Sequence, residues 1–148
     1  MHVFSLVKYF KKHYNIIFIC GEKGDLYNEI QKLGVMVYSI PTLTSSFNLT
    51  KLLKSFFSLK SIIEFENPDL IHCHSAASGL VSRILGLLLK IPTIYTVHGF
   101  GFGKGRHFII AIPLYVIEFF LARITFLYIT VSNADSKLSR FLLVPKRK

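Results

Sequence analysis

The sequence predicts an α/β fold: a parallel sheet with helices on both of its faces. Short apolar runs rich in β-branched and aromatic residues alternate with helix-patterned stretches from end to end, and such alternation builds parallel sheets through helical crossovers. Several strand runs are continuously apolar, as in Thr93-Ile-Tyr-Thr-Val97, which suits strands buried on both faces. The 148 residues are 51% hydrophobic. With a mean hydropathy of +0.47, they suffice for one domain with a substantial core and exclude a disordered chain.

A short amphipathic helix opens the chain, setting Val3, Phe4, Val7 and Phe10 against Lys8, Lys11 and Lys12. A strand from Asn15 to Cys20 stops at Gly21. A helix from about Asp25 to Leu33 ends on Gly34, where a left-handed cap is expected. The strand Val35–Ile40 ends at Pro41, and a long amphipathic helix covers about Leu49 to Glu66. Leu49, Leu52, Leu53, Phe56 and Ile63 form its apolar side, with Lys51, Lys54 and Lys60 outside. Asn67-Pro68 stops it, because the residue before a proline resists the helical region.

A strand from Asp69 to Cys73, a helix from Ser75 to about Leu89 and the strand Thr93–Val97 follow, with a loop to His107. Phe108 to Val131 is almost wholly apolar and about long enough to span a bilayer. Pro113, Glu118 and Arg123 interrupt it, and β-branched and aromatic residues concentrate after Arg123. A buried helix to about Arg123 and a strand Thr125–Val131 explain the same residues. Helix plus strand is the reading adopted, with a membrane span as the alternative. A final helix opens at Ser132 or Asn133. Neither internal repeats nor low-complexity tracts occur.

Lys and Arg number 18 against 8 acidic residues, a net charge of +10. That surplus favours an anionic partner, a membrane surface or phosphate before nucleic acid, because the basic residues are scattered and form no nucleic-acid module. Cys20 and Cys73 lie in apolar runs and read as reduced, buried thiols. Lysines break any apolar leader near the N-terminus, so the cytosolic side is expected.

Thr96-Val97-His98-Gly99-Phe100 is the most informative motif, with an ionisable ring and a glycine where a strand ends. Ligands of open α/β sheets bind at such ends. Pro68-Asp-Leu-Ile-His-Cys-His-Ser75 reaches the same edge. His72 and His74 share a strand face and Cys73 the opposite one. They could seed a metal site, but nearby residues supply no convincing third and fourth ligand, so no metal is expected. The loop Gly99-Phe-Gly-Phe-Gly-Lys-Gly105 matches neither a Walker loop nor G-x-G-x-x-G, and reads as a flexible, aromatic-tipped loop over the sheet edge.

Taken in order, Pro68 to Ser75 with Gly79, Pro92 to Phe100, and Ile129-Thr-Val-Ser132 with Ala134 resemble the N-terminal domain of GT-B glycosyltransferases of the retaining, family-four type. Gly21 to Pro41 matches the stretch that precedes these motifs. The resemblance implies a Rossmann-like fold and transfer of a sugar from a nucleotide-sugar to a polysaccharide or lipid-linked acceptor in bacterial cell-envelope synthesis. His98 would be the catalytic residue beside the transferred sugar, with His74, Ser75, Gly99, Phe100 and Ser132 binding substrate. It implies no cofactor beyond the donor substrate.

The resemblance also implies departures. The family's first strand and glycine-rich turn would precede Met1, and its nucleotide-binding domain would follow Lys148. Residues 1–143 would then be an incomplete domain and 144–148 a basic tail, reading like an early stop or frameshift. Alone, such a truncated chain would be inactive and marginally stable; a split enzyme completed by a separate C-terminal donor-binding chain is the second version of the same reading. Its basic helices would place it at the inner face of the plasma membrane. A non-catalytic binding or membrane-surface module of the same fold, or a small integral membrane protein, remains an alternative.

Overall fold

Apolar segments three to five residues long pair side by side in a computed structural model that describes residues 2–44, 48–102 and 107–142. The chain divides into two compact units, Met1–Leu59 and Lys60–Lys148.

In the first unit, α1 (His2–Phe10) leads to β1 (Ile17–Cys20), α2 (Asp25–Lys32) and β2 (Met36–Ser39). β1 and β2 run parallel, with Ile17 opposite Met36 and Cys20 opposite Ser39. Val7, Ile30 and Val35 form the core, joined by Val3, Phe4, Phe18 and Val37. Gly34 follows α2 with φ of 75°, the expected left-handed cap. Phe10 departs from the expected apolar stripe. It is 39% exposed and lies tilted against Tyr14, its ring centre 5.9 Å away, at the residue where the helix ends.

The helix α3 (Leu49–Glu66) has the expected bounds. Asn48 starts it, its Oδ1 accepting the Lys51 N–H at 3.1 Å. Its buried row is Ser55, Leu59 and Ile63, while the expected Leu49 and Leu53 are 70% and 51% exposed. The packed face is thus rotated from the richest apolar spacing, and Ser55 gains a hydroxyl partner, Thr42 Oγ1, at 2.9 Å. Asn67 ends the helix in the left-handed region at φ 45°, which asparagine tolerates better than most residues.

In the second unit, β3 (Ile71–Cys73), α4 (Ala76–Leu89), β4 (Thr93–Val97), α5 (Phe108–Ile124), β5 (Leu127–Thr130) and α6 (Asn133–Phe141) alternate. The strands form one parallel sheet in the order β3-β4-β5. Tyr95 lies opposite Cys73 on one side and Tyr128 on the other, so these three side chains share a face. That face meets the helices. Cys73, Tyr95, Val97, Phe100, Ala122 and Leu142 make the core, with Tyr115 and Phe119 packed against it.

Arg83 of α4 is buried in this layer, 1% exposed. Its guanidinium donates to Glu118 Oε1 and Oε2 at 2.5 and 3.0 Å and lies 4.2 Å from the centre of the Tyr95 ring. The Tyr128 hydroxyl donates to the same carboxylate at 2.5 Å. Burial disfavours the charged guanidinium, but the Glu118 carboxylate outweighs it, so Arg83 is held charged more firmly than a free arginine. The Glu118 that interrupts the apolar run is therefore an internal counter-ion.

Parallel strands flanked by helices are what the sequence predicts. Phe108–Val131 resolves into α5 and β5, and among the described residues no helix is long and apolar enough to cross a membrane. Two readings fall partly or wholly outside the described residues: the glycine loop beyond Phe102, and the basic tail 144–148.

Candidate functional site

The C-terminal ends of β3, β4 and β5 converge on one rim, because parallel pairing in register brings every strand out on the same side. After β3 the chain places His74 and then Ser75, which caps α4. Ser75 Oγ accepts the Ser78 N–H at 3.3 Å and Ser78 Oγ accepts the Ser75 N–H at 3.3 Å, a reciprocal capping box. After β4 come His98 and Gly99, both exposed, with Gly99 at φ 131°. A side chain there would be strained, so glycine is what permits this exit from the strand. After β5, Ser132 caps α6 by accepting the Asp135 N–H at 3.1 Å.

The imidazoles form a row. His72 and His74 lie 4.2 Å apart between ring centres, and His74 and His98 lie 5.9 Å apart. His72 Nε2 and Thr96 Oγ1 are 2.8 Å apart, so the hydroxyl of a fully buried threonine anchors the first ring. His74 and His98 can bring one ring nitrogen each within 4.8 Å of the other. Cys73, between the histidines in sequence, faces the core. Its Sγ donates to the Ile94 carbonyl at 3.3 Å, and burial pushes the thiol up to about 12. Cys20 is half-buried, and its thiol is raised for the same reason.

Phe100 belongs to the rim only through its backbone. Its ring is 9% exposed and stacks on Phe102 at 4.8 Å, so the aromatic tip expected over the edge turns inward. Its N–H donates to Asp135 Oδ1 at 3.3 Å, while the Ser132 hydroxyl donates to Oδ2 of the same carboxylate at 2.6 Å. Asp135, 8% exposed, thus ties the β4 exit to the α6 cap. No strand-end motif in the sequence named it. Its signal was the spacing Ser132-Asn-Ala-Asp135, a serine followed three residues later by a carboxylate at a helix start.

The arrangement offers imidazole and hydroxyl groups beside two capped helix N-termini. Such groups hydrogen-bond sugar hydroxyls and oppose negative charge on phosphate.

The chain is 30% identical over 128 residues to the UDP-Gal:alpha-D-GlcNAc-diphosphoundecaprenol alpha-1,3-galactosyltransferase of Escherichia coli, covering 86% of this chain and 33% of that protein. It is 30% identical over 129 residues to the O-antigen biosynthesis glycosyltransferase WbnH of Escherichia coli, 86% of this chain and 36% of the other. An uncharacterized glycosyltransferase of Methanocaldococcus jannaschii is 35% identical over 101 residues, 67% of this chain and 27% of its own length. The chain spans about a third of the relatives it matches, or less. The glycosyl transferase 4-like family matches residues 1–131, and with these relatives and the parallel α/β fold it shows that the chain belongs to that family of glycosyltransferases.

Proposed function

We propose that this chain is the acceptor-binding half of a bacterial GT-B glycosyltransferase that passes a sugar from a nucleotide-sugar to a polysaccharide or lipid-linked acceptor. The observation that carries the reading is the convergence of His74, Ser75, His98, Gly99 and Ser132 on one strand-end rim of a family member. In the transfer, the bond from the anomeric carbon to the nucleoside diphosphate breaks. A bond to an acceptor hydroxyl forms, and that hydroxyl loses its proton. His98 would hydrogen-bond the transferred sugar, and Gly99 would let the chain pass close to it. Ser75 and Ser132 would meet acceptor hydroxyls or phosphate at the helix starts, and Phe100 would contribute backbone contacts.

Stabilising the leaving diphosphate is a large share of such catalysis and needs preorganised positive groups around it. Those contacts are assigned to the part of such an enzyme that these 148 residues do not span, with no resident metal or cofactor and no nucleic acid. In this reading these 148 residues by themselves are expected to bind acceptor and to transfer no sugar. The proposed location is cytoplasmic, peripheral at the inner face of the plasma membrane.

Calorimetric titration of the chain with a soluble sugar diphosphate lipid analogue tests this reading. Binding should weaken about tenfold or more in His98→Ala and in Ser75→Ala, consistent with the loss of one or two charge-assisted hydrogen bonds. No sugar should be transferred from any nucleotide-sugar. Unchanged binding in both variants, or turnover by the purified chain, would refute it.

A further inference from the structure

Two residues leave β4 between fixed points. Val97 is fully buried at the strand end, opposite Thr130 of β5, and Phe100 is held by its ring in the core. His98 and Gly99 lie between them and are exposed. Gly99 has φ of 131°, and among the described residues nothing lies within 4 Å of where its side chain would begin. Packing around Gly99 therefore does not fix this turn. The backbone of Phe100 fixes it, and the Phe100 N–H is directed by Asp135 Oδ1.

Asp135 is turned away from the duty its position suggests. In α4 the third helical residue, Ser78, returns a bond to the N–H of the capping Ser75. The matching residue of α6 is Asp135. Its carboxylate instead reaches the Phe100 N–H, 35 residues upstream, and the Ser132 hydroxyl. Among the described residues no cation pairs with it. Burying a carboxylate is costly without compensating bonds, and the Ser132 side chain already caps α6. What Asp135 adds is the tie to the β4 exit.

We propose that Asp135 is the positioning residue of the rim: it holds His98 in place through the Phe100 amide and fixes which hydrogen bond Ser132 can still make. The inference rests on the acceptor-binding reading of His98 given above. Ser132 Oγ commits its hydrogen to Asp135 Oδ2 and one lone pair to the Asp135 N–H. One lone pair remains. Ser132 therefore accepts from a sugar hydroxyl and does not donate to a phosphate, which narrows its part in acceptor recognition to neutral groups.

Histidine-labelled chain and the soluble sugar diphosphate lipid analogue test this. With the circular dichroism spectrum kept, Asp135→Ala should move or broaden the His98 ring resonance and weaken binding about tenfold. Asp135→Asn keeps an oxygen for the Phe100 N–H, so it should restore the His98 resonance and bring binding to within about threefold of the unmodified chain. Its amide donates to Ser132 Oγ and turns the hydroxyl hydrogen outward, which accounts for the remainder. Because Asp135 acts through His98, adding Asp135→Ala to His98→Ala should weaken binding by less than about threefold more. Asp135→Ser, whose hydroxyl is one bond short of Phe100, should behave as Asp135→Ala and supplies the same test should alanine not fold. A His98 resonance and an affinity unchanged by either short side chain, beside a lower melting temperature, would overturn the inference and leave Asp135 a structural cap. Additive losses in the double variant would overturn it too. If the unmodified chain does not bind the analogue, the acceptor reading fails, and the His98 resonance alone decides the positioning role.

Discussion

Asp135 and Glu118 show how much a single carboxylate can organise. Asp135 accepts from the Phe100 N–H and the Ser132 hydroxyl, so Asp135→Ala leaves two donors near the rim without their acceptor. A loss of about 1–3 kcal/mol in urea denaturation is expected, with faster hydrogen exchange at the Phe100 amide. Glu118 neutralises an arginine that is 1% exposed. Glu118→Leu strands that charge in the core and should cost about 3–5 kcal/mol, whereas Arg83→Met with Glu118→Leu should recover most of the loss. Equal losses in the single and double variants would show that the ion pair is not what stabilises this layer.

At the scale of elements, α4 sits on β4 through a glycine. A Cβ added at Gly79 would come within 2.9 Å of Tyr95 Cε2, and that ring cannot retreat because it is 4% exposed and stacked under Arg83. Gly79→Ala should therefore destabilise the chain by about 1–3 kcal/mol through overpacking, and a Tyr95→Leu background should relieve it. Thermal melts of the two single variants and the double variant check this. α5 illustrates the opposite balance. Its hydropathy suggests burial or a membrane span, yet only one side is packed, because Glu118, Tyr115 and Phe119 orient it toward α4 and the sheet. α3 makes the same point, since its apolar spacing named Leu49, Leu53 and Ile63, of which packing kept only Ile63 and added Ser55 and Leu59.

For the whole molecule, the core titrates at high pH. Burial pushes the Cys73 thiol from 9.0 to about 12. Burial first, then the nearby Glu118 carboxylate, pushes the Tyr95 hydroxyl from 10.0 to about 12, against the opposing pull of Arg83. Tyr128 is raised as well, chiefly by burial. A raised acid keeps its proton in the folded chain and releases it sooner when unfolded. The stability from Cys73 and Tyr95 is thus complete below pH 9 and falls as pH rises through the folded values near 12. A pH series of urea melts should lose about 1–3 kcal/mol between pH 9 and 12 for each of Cys73 and Tyr95, and Cys73→Ala should remove the earliest part. By itself the sequence determined the alternation of strand and helix, the bounds of α3 and β4, the glycine after α2 and the family motifs on strand ends. All of these depend on neighbours in sequence, through periodicity, capping and turn geometry. Tertiary structure alone decided that the Phe100 ring turns inward, that Glu118 serves Arg83, that Asp135 links two loops and that α5 keeps an apolar face in water. Those outcomes depend on residues tens of positions apart meeting in register, which no local pattern records.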